Sequence, residues 1–460
     1  MHIYDSLSET KKELAQTGKR LELFVCGITP YDYSHIGHAR TSIVFDTFVK
    51  YLRSNKWTVF YLQNVTDIED KIIDRSKKDG VSWKETVRKF ESAYHKNERE
   101  LKINSVSKYA RATDHIPEII RQVQTLIDKK YAYKIEGDGY YFDVSKFADY
   151  GKLSKRTAQA ADDGVSRIDE SINKKNRADF CLWKFSKPGE PSWQSPFGQG
   201  RPGWHIEDTA ITEKYFGPQY DIHGGAVDLK FPHHEAEIAQ QESASGKKPM
   251  VKIWMHAGFL LVEGQKMSKS LNNFITIDDF LKKHSPQTLR YLVLSHHYRS
   301  PIDYSDSLAL QSKAALSTIQ NFVFKLSLVK KTKTASKDIG YKISQAKKSF
   351  DDSMGDDFNT PKALAAIFNL INGLENDIWG LNGDEALSLQ LFTIEKLDIL
   401  GIKIEKNPKI PFRVRWLSKK REKSRSNKQF IQSDTLRNKI NELGYSVEDT
   451  PLGPLVQSLK

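Results

Sequence analysis

The chain has 460 residues, more than a single hydrophobic core ordinarily supports, so three or four domains are expected. Hydrophobic residues make up 38% and charged residues 28%, an ordinary globular composition, and no apolar run approaches the roughly 18 residues of a membrane-spanning helix. The net charge of +13 suits a polyanionic partner, because each phosphate contact releases bound counterions, although the same charge also serves solubility.

Two cysteines, Cys26 and Cys181, exclude a disulfide framework and fit a reducing compartment. Met1-His2-Ile3-Tyr4-Asp5 carries no basic segment leading into an apolar run, so no secretory signal is expected and the cytoplasm is the expected location. The first strong pattern is Leu21-Glu22-Leu23-Phe24-Val25-Cys26-Gly27, a short apolar run closed by glycine that predicts a buried strand. A loop over 28–34 leads to His35-Ile36-Gly37-His38, and apolar residues at helical spacing follow at Ile36, Ala39, Ile43, Val44, Phe48 and Leu52. Thr58-Val59-Phe60-Tyr61-Leu62 predicts a second strand. Strand, helix and strand in about forty residues make a βαβ unit, hence a parallel sheet with a ligand site at its strand ends.

Residues 116–193 read as an excursion from that sheet, with a helix over 116–129, a strand at Gly139-Tyr140-Tyr141-Phe142-Asp143, and an exposed polar stretch over 152–179. The sheet pattern resumes at Asp221-Ile222-His223-Gly224-Gly225 and Ile253-Trp254-Met255-His256. Beyond Ile302 the chain turns helical, first over 308–329 and then from Asn359-Thr360-Pro361, where Thr360 is the expected N-cap and Pro361 starts the first turn. The last fifty residues form a basic module, with eight Lys or Arg against the single acid Glu422 between Pro411 and Phe430. Such a run is either a solvated helix face or an RNA-facing surface.

His35-Ile36-Gly37-His38 falls at a strand-to-helix turn. There Gly37 admits a ligand close to the backbone, the helix N-terminus offers free N–H groups, and two imidazoles can donate to phosphate oxygens. Lys266-Met267-Ser268-Lys269-Ser270 places two lysines around small hydroxyl residues in a loop, a pattern that can hold a triphosphate and neutralise charge developing in adenylyl transfer. Either motif alone is weak: the first is matched by packing or capping histidines, the second by any solvated basic loop.

In this order and about 230 residues apart, the pair resembles the class I aminoacyl-tRNA synthetases, in which the two motifs flank ATP and the amino-acid carboxylate attacks the α-phosphate. The resemblance implies ATP with magnesium as substrate, and phosphate contacts from His35, Gly37, His38, Lys266, Ser268 and Lys269. His35, His38, Lys266 and Lys269 would be catalytic, Lys269 with Lys266 stabilising the adenylation transition state from a mobile loop.

Phe24-Val25-Cys26-Gly27-Ile28-Thr29-Pro30-Tyr31-Asp32 and Asn64-Val65-Thr66-Asp67-Ile68-Glu69-Asp70-Lys71 are similar to the cysteine-specific branch of that family. So are Gly203-Trp204-His205-Ile206-Glu207, His223-Gly224-Gly225 and Phe231-Pro232-His233-His234-Glu235-Ala236-Glu237. The likeness extends to Glu448-Asp449-Thr450-Pro451, essentially the whole chain. It implies activation of cysteine and transfer to tRNA(Cys) by a monomer, with Gly27, Thr66, Trp204 and Asp228 lining the cysteine and ribose pockets.

Cysteine poses a selection problem that a metal can solve, because a pocket shaped only by packing rejects an isostere such as serine by about 10–200-fold. Zinc prefers a thiolate to a hydroxyl. Three of the family's four zinc ligands have counterparts in Cys26, His233 and Glu237, the last two four residues apart and so on one helix face. The fourth, a cysteine in the family, is Asp208 in this chain. Aspartate is a harder ligand at ~2.0–2.2 Å, so a Cys26/Asp208/His233/Glu237 site is expected to bind zinc more weakly, the rival being a metal held by fewer ligands or none. His205, His223 and His256 are expected to crowd the metal side, and Cys181 to be a buried structural thiol.

The expected fold is α/β. A doubly wound, Rossmann-type catalytic domain (1–115 and 196–255) is split by a connective region (116–195). A linking region with the lysine motif (256–305), an α-helical bundle (306–405) and a basic anticodon-binding module (406–460) follow. The tail Pro454-Leu455-Val456-Gln457-Ser458-Leu459-Lys460 lacks the aromatic and basic residues expected of anticodon contacts. Three other readings compete: a cysteine ligase of the mycothiol-pathway type, disfavoured by the basic C-terminal module; an inactive RNA-binding relative, disfavoured by the intact adenylation motifs; and a generic nucleotidyltransferase, which leaves the metal constellation unexplained.

Overall fold

The computed structural model describes residues 1–15, 19–156, 173–268, 271, 273–329, 338–404 and 410–458. The chain divides into two compact units, the first comprising residues 1–313 with 349–364 and 399–401, the second residues 314–348, 365–398 and 402–460.

The first unit is built on a five-stranded, all-parallel sheet: β1 (Leu21–Ile28), β2 (Val59–Val65), β3 (Lys108–Arg111), β4 (Tyr220–Ala226) and β5 (Val251–Ala257). Their order across the sheet is β5-β4-β1-β2-β3. The chain steps outward from β1 through β2 to β3, then returns to the other side of β1 for β4 and β5. The order therefore reverses between β1 and β4, where open α/β sheets bind ligands beyond their carboxyl ends. Helix α1 (Ile36–Ser54) joins β1 to β2, α2 (Ile206–Phe216) precedes β4, and α3 (His233–Ser245) joins β4 to β5. The strands read as apolar runs because both faces are covered, and six of the seven β4 residues are buried.

The glycines of His223-Gly224-Gly225 serve this packing. A Cβ at Gly224 would meet the Phe45 ring of α1 at 2.4 Å, and one at Gly225 would meet the His234 ring of α3 at 2.9 Å. They let a helix from each crossover lie directly on β4.

The excursion is an antiparallel sheet of Ala132–Ile135, Gly139–Phe142, Phe180–Phe185 and Gly200–Pro202, preceded by a helix at Ile116–Asp128. It shares one core with the parallel sheet: Phe24 and Leu62 join Ile119, Val123 and Leu126 of that helix and Phe142, Phe180 and Trp183 of the antiparallel strands. Cys181 is buried in a separate small cluster with Tyr141 and Ile135. Of the polar stretch over 152–179, residues 157–172 lie outside the described residues.

The helix expected to start with a Thr360 cap runs Thr360–Asn372, but the Asn359 side chain does the capping, accepting from Lys362 N at 3.2 Å. Asn and Thr are both good caps, so the local sequence leaves the start ambiguous by one residue.

The second unit contains the Gly383–Ile399 helix and, at its end, helices Phe412–Ser426 and Phe430–Glu442 followed by a hairpin of Tyr445–Thr450 and Gly453–Ser458. Val414, Leu417, Leu436, Ile440 and Val447 form the small core of that end. Residues 454–458 of the tail lacking aromatics pair as the hairpin's second strand, with Leu455 buried. Arg421, counted in the basic run, is buried and holds Asp449 through two bonds of 2.6 and 2.9 Å. The run is thus partly internal, while Phe412, Trp416 and Phe430 are exposed. Among the described residues no helix is long and apolar enough to cross a membrane.

Candidate active site

The turn between β1 and α1 shapes the first half of the site. His35 is the N-cap of α1, and its Nδ1 accepts from Gly37 N at 3.1 Å and His38 N at 3.3 Å. His38 Nδ1 in turn accepts from His35 N at 3.3 Å, and the two rings stack at 3.8 Å. With both Nδ1 atoms accepting, the proton of each neutral ring sits on Nε2, which remains a donor. Desolvation, with His38 and Lys266 nearby, lowers the His35 pKa to about 3, and desolvation by the surrounding cleft lowers that of the solvent-reachable His38 to about 4. Both rings are therefore neutral donors at physiological pH. Gly37 is required because a Cβ there would lie 2.8 Å from the His35 ring and 3.1 Å from Met267 Cε.

Met267 belongs to the lysine motif, so two segments far apart in sequence meet here. Ile36 N donates to Ile275 O at 3.1 Å, Ile277 N to Ser34 O at 2.9 Å, and Phe274 packs edge-on to His35 at 5.1 Å. Lys266 ends the Gln265–Lys266 strand, and its Nζ pairs with Asp228 Oδ2 at 2.6 Å across an exposed gap. Asn273 closes the lysine loop, accepting from Ser268 N at 2.8 Å and donating to Lys266 O at 3.3 Å. Lys269 lies outside the described residues.

The second half gathers at the switch point. Cys26 near the end of β1, Asp208 in the first turn of α2, and His233, His234 and Glu237 on α3 converge. His233 Nε2 stands 3.0 Å from both Asp208 Oδ2 and Glu237 Oε1. Cys26 Sγ lies 3.2 Å from His234 Nε2, 3.4 Å from His223 Nε2 and 4.0 Å from Glu237 Oε1. Ligand atoms of Cys26, His233, His234 and Glu237 all fall within 4.8 Å of one another. His223 Nε2 is 3.2 Å from Glu237 Oε2 but off the direction of a hydrogen bond, which leaves that buried oxygen without a partner.

A ring of neutral imidazoles backs this cluster. His205 Nδ1 meets His233 Nδ1 at 2.7 Å, and Trp204 stacks on His233 at 4.8 Å. Burial holds His205 well below its ordinary pKa, so it accepts the His233 Nδ1 proton, which turns His233 Nε2 toward the carboxylates. Ser6 Oγ, His256 Nδ1 and Nε2, and His234 Nδ1 follow one another at 2.8 Å steps, ending with His234 Nε2 at the Cys26 sulfur. Burial opposes charge on His233, but Glu237 and Asp208 more than compensate and raise its pKa. Burial, then the Glu237 and Asp208 charges, push the Cys26 thiol well up.

Residues 12–314 match the family model for the class I (C) tRNA synthetase catalytic domain, and residues 349–404 match that for the DALR domain. The cysteine–tRNA ligase of Maridesulfovibrio salexigens is 41% identical, the alignment covering 98% of this chain and 99% of that protein. That of Thermoplasma volcanium is also 41% identical, covering 98% of each. This chain belongs to the cysteine–tRNA ligase family. Its fold is that of class I synthetases. A Mycobacterium tuberculosis methionyl-tRNA synthetase in complex with methionyl-adenylate superposes with a TM-score of 0.59 at 15% identity, covering 84% of this chain and 90% of that one. The Agrobacterium radiobacter K84 LeuRS–tRNA–LeuAMS complex gives 0.61 at 11% identity, covering 85% and 86%.

For a ligase of this family the question at the switch point is whether these residues suit zinc. Tetrahedral zinc with bonds of ~2.0–2.3 Å separates its ligand atoms by roughly 3.3–3.8 Å. The separations found, 3.0 Å from His233 to Asp208 and to Glu237 and 4.0 Å from Cys26 to Glu237, bracket that range. The donors are a thiol, imidazoles and carboxylates, and one buried carboxylate oxygen lacks a partner. The set fits zinc.

His234 was not among the residues singled out from the sequence. Adjacent helix positions normally point about 100° apart, and only the approach of β1 brings its Nε2 to Cys26. Asn64, Glu207 (which accepts from Thr66 Oγ1) and Asn273 also escaped notice, although the first two stand in the segments that carry the family likeness.

Proposed function

We propose that this ligase activates cysteine with ATP and transfers it to tRNA(Cys), selecting the thiol at a zinc held by Cys26, Asp208, His233 and Glu237. The convergence of those four side chains at the reversal of the sheet, one turn from the His35–His38 pair, carries the reading. When bound, the zinc supplies a thiolate-preferring coordination position that a serine hydroxyl fills poorly. His234 then donates from Nε2 to the Cys26 sulfur, and His205 keeps His233 in the tautomer whose Nε2 faces the metal.

On the nucleotide side, His35 and His38 donate from Nε2 to phosphate oxygens, and the positive end of the α1 dipole favours negative charge at the same place. Gly37 keeps the turn open. Lys266 leaves Asp228 for the triphosphate, and Lys269 with Ser268 joins it as the cysteine carboxylate attacks the α-phosphate and pyrophosphate departs, with magnesium accompanying ATP. Gly27, Thr66, Trp204 and Asp228 line the cysteine and ribose pockets, while His223 and His256 support the metal side. Residues 256–305 link the catalytic halves (1–115 and 196–255, split by 116–195) to the helical bundle at 306–405. The module at 406–460 reads the anticodon, with Trp416 and Phe412 available for stacking on bases. The reading has the ligase acting as a cytoplasmic monomer.

ATP–pyrophosphate exchange with cysteine and with serine, before and after metal stripping, tests it. Cysteine-dependent exchange lost on stripping and restored by zinc is the expected result. Exchange indifferent to metal overturns zinc-based selection, and no exchange with cysteine overturns the activity.

A further inference from the structure

Asp208, the ligand expected to be weakest in the proposed zinc set, is held by a residue to which no role has been given. Asn64 on β2 is 3% exposed, and its side-chain amide is fully used. Its Oδ1 accepts from Gly27 N at 2.6 Å. Its Nδ2 donates to Asp208 Oδ1 and, at 3.3 Å, to Thr66 Oγ1. The Gly27 bond fixes which end of the amide is oxygen, because a backbone N–H requires an acceptor.

The register shows why that N–H is available. The β1–β2 pairing is regular to Val25–Gln63 and resumes only at Ile28–Val65, so an irregularity between them leaves Gly27 N out of the ladder. The strands are so close there that a Cβ at Gly27 would lie 1.9 Å from the Asn64 carbonyl oxygen. Asn64 thus satisfies the strand end beside Cys26 and, with the same amide, reaches across to Asp208.

Asp208 presents two oxygens, whereas a thiolate ligand presents one sulfur. Oδ1 is taken by Asn64, and Oδ2 points to His233 Nε2 at 3.0 Å, the nitrogen that faces the ligand cluster. We infer that Asn64 is a positioning residue that holds Asp208 as a single-oxygen ligand, with the second oxygen kept off the metal. A carboxylate free to rotate would bring both oxygens to the metal and disturb a tetrahedral site that must keep a position for the substrate sulfur. This inference rests on the reading of Asp208 as a ligand.

The test is zinc affinity, measured by chelator competition on the intact protein, for the wild type and for Asn64→Ala, Asp208→Ala, Asp208→Cys and the double variant Asn64→Ala/Asp208→Cys. Circular dichroism and melting confirm that each is folded. Loss of a residue that orients a ligand typically costs 10–100-fold in metal affinity. Asn64→Ala should weaken zinc binding by that amount in the Asp208 protein and by less than about threefold in the Asp208→Cys background, since a thiolate has a single donor atom and no rotation to restrain. Equal weakening in both backgrounds overturns the inference and assigns Asn64 to the Cys26 strand end instead. Unchanged affinity in Asn64→Ala, with Asp208→Ala weakened, overturns it while leaving Asp208 a ligand. Unchanged affinity in Asp208→Ala removes Asp208 from the site and the inference with it.

Discussion

Replacing Asp46 by alanine should cost about 4 kcal/mol, because it breaks a buried ion pair and strands the donors around it. Asp46 and Arg290 are both fully buried. The carboxylate takes Arg290 Nη2, Lys50 Nζ at 2.7 Å, Ser105 Oγ at 2.7 Å, and the backbone N–H groups of Asn104 and Ser105 at 3.1 Å each. Arg290 also donates to Leu400 O and Leu101 O at 2.8 Å and to Thr47 Oγ1 at 3.1 Å. The pair therefore ties α1, whose first turn holds the two site histidines, to the segment after the lysine loop. Without the carboxylate, the guanidinium keeps only neutral acceptors and the four further donors lose this one, in the range of about 3–5 kcal/mol for a broken buried pair. At about 2 °C per kcal/mol for a unit of this size, melting should fall by roughly 8 °C. Lys282→Ala, which breaks the exposed 2.7 Å pair with Asp279, should shift it by no more than about 1 °C. Burial works to raise the Asp46 pKa, but Arg290 and Lys50 outweigh it and the net value is lowered. The contribution is therefore present above the unfolded carboxylate value of ~3.9 and lost as pH falls through the lower folded value. A melting shift under about 2 °C for Asp46→Ala at pH 7 would refute the reasoning.

Because His35 and His38 titrate at about 3 and about 4, cysteine-dependent exchange should show no inflection from either between roughly pH 5 and 9; a limb near 6.5 that disappears in His38→Asn contradicts the neutral-donor assignment. Lys269→Ala should slow exchange about 10²–10³-fold and leave the cysteine Kd nearly unchanged, while equal losses in both argue against a transition-state role. His95 is raised to about 9, first by its hydrogen bonds to Glu91 and Glu98, so its stabilisation is complete below the unfolded value of ~6.5 and fades as pH rises through about 9. The gap in urea midpoint between wild type and His95→Gln should narrow between pH 6 and pH 9.5, and a constant gap would contradict this.

The elements were legible where local pattern and tertiary role agree. The apolar run ending at Cys26-Gly27 is a buried parallel strand, and the helical spacing after Ile36 is the face α1 turns to the sheet. The four-residue spacing of His233 and Glu237 does bring their side chains to 3.0 Å. Legibility failed where partners come from elsewhere. The 116–193 segment looked separable because its own pattern changes, yet its helix and strands complete the core of the parallel sheet through Phe24 and Leu62. Arg421 looked like one more solvated cation, and its partner Asp449 is a hairpin residue 28 positions on.

By itself the sequence determined the class of molecule: the parallel α/β architecture is written in apolar spacing, and the motifs at residues 35–38 and 266–270 carry the likeness to the ligase family, from which the expected ligand set follows. Tertiary structure alone decided how those groups are poised. The register irregularity that frees Gly27 N, the capture of that N–H and of Asp208 by one amide, the turn of His234 toward Cys26, and the desolvation that keeps His35 and His38 uncharged all depend on atoms from distant segments. Hydrogen-bond direction and desolvation are set by such neighbours, and no local pattern encodes them.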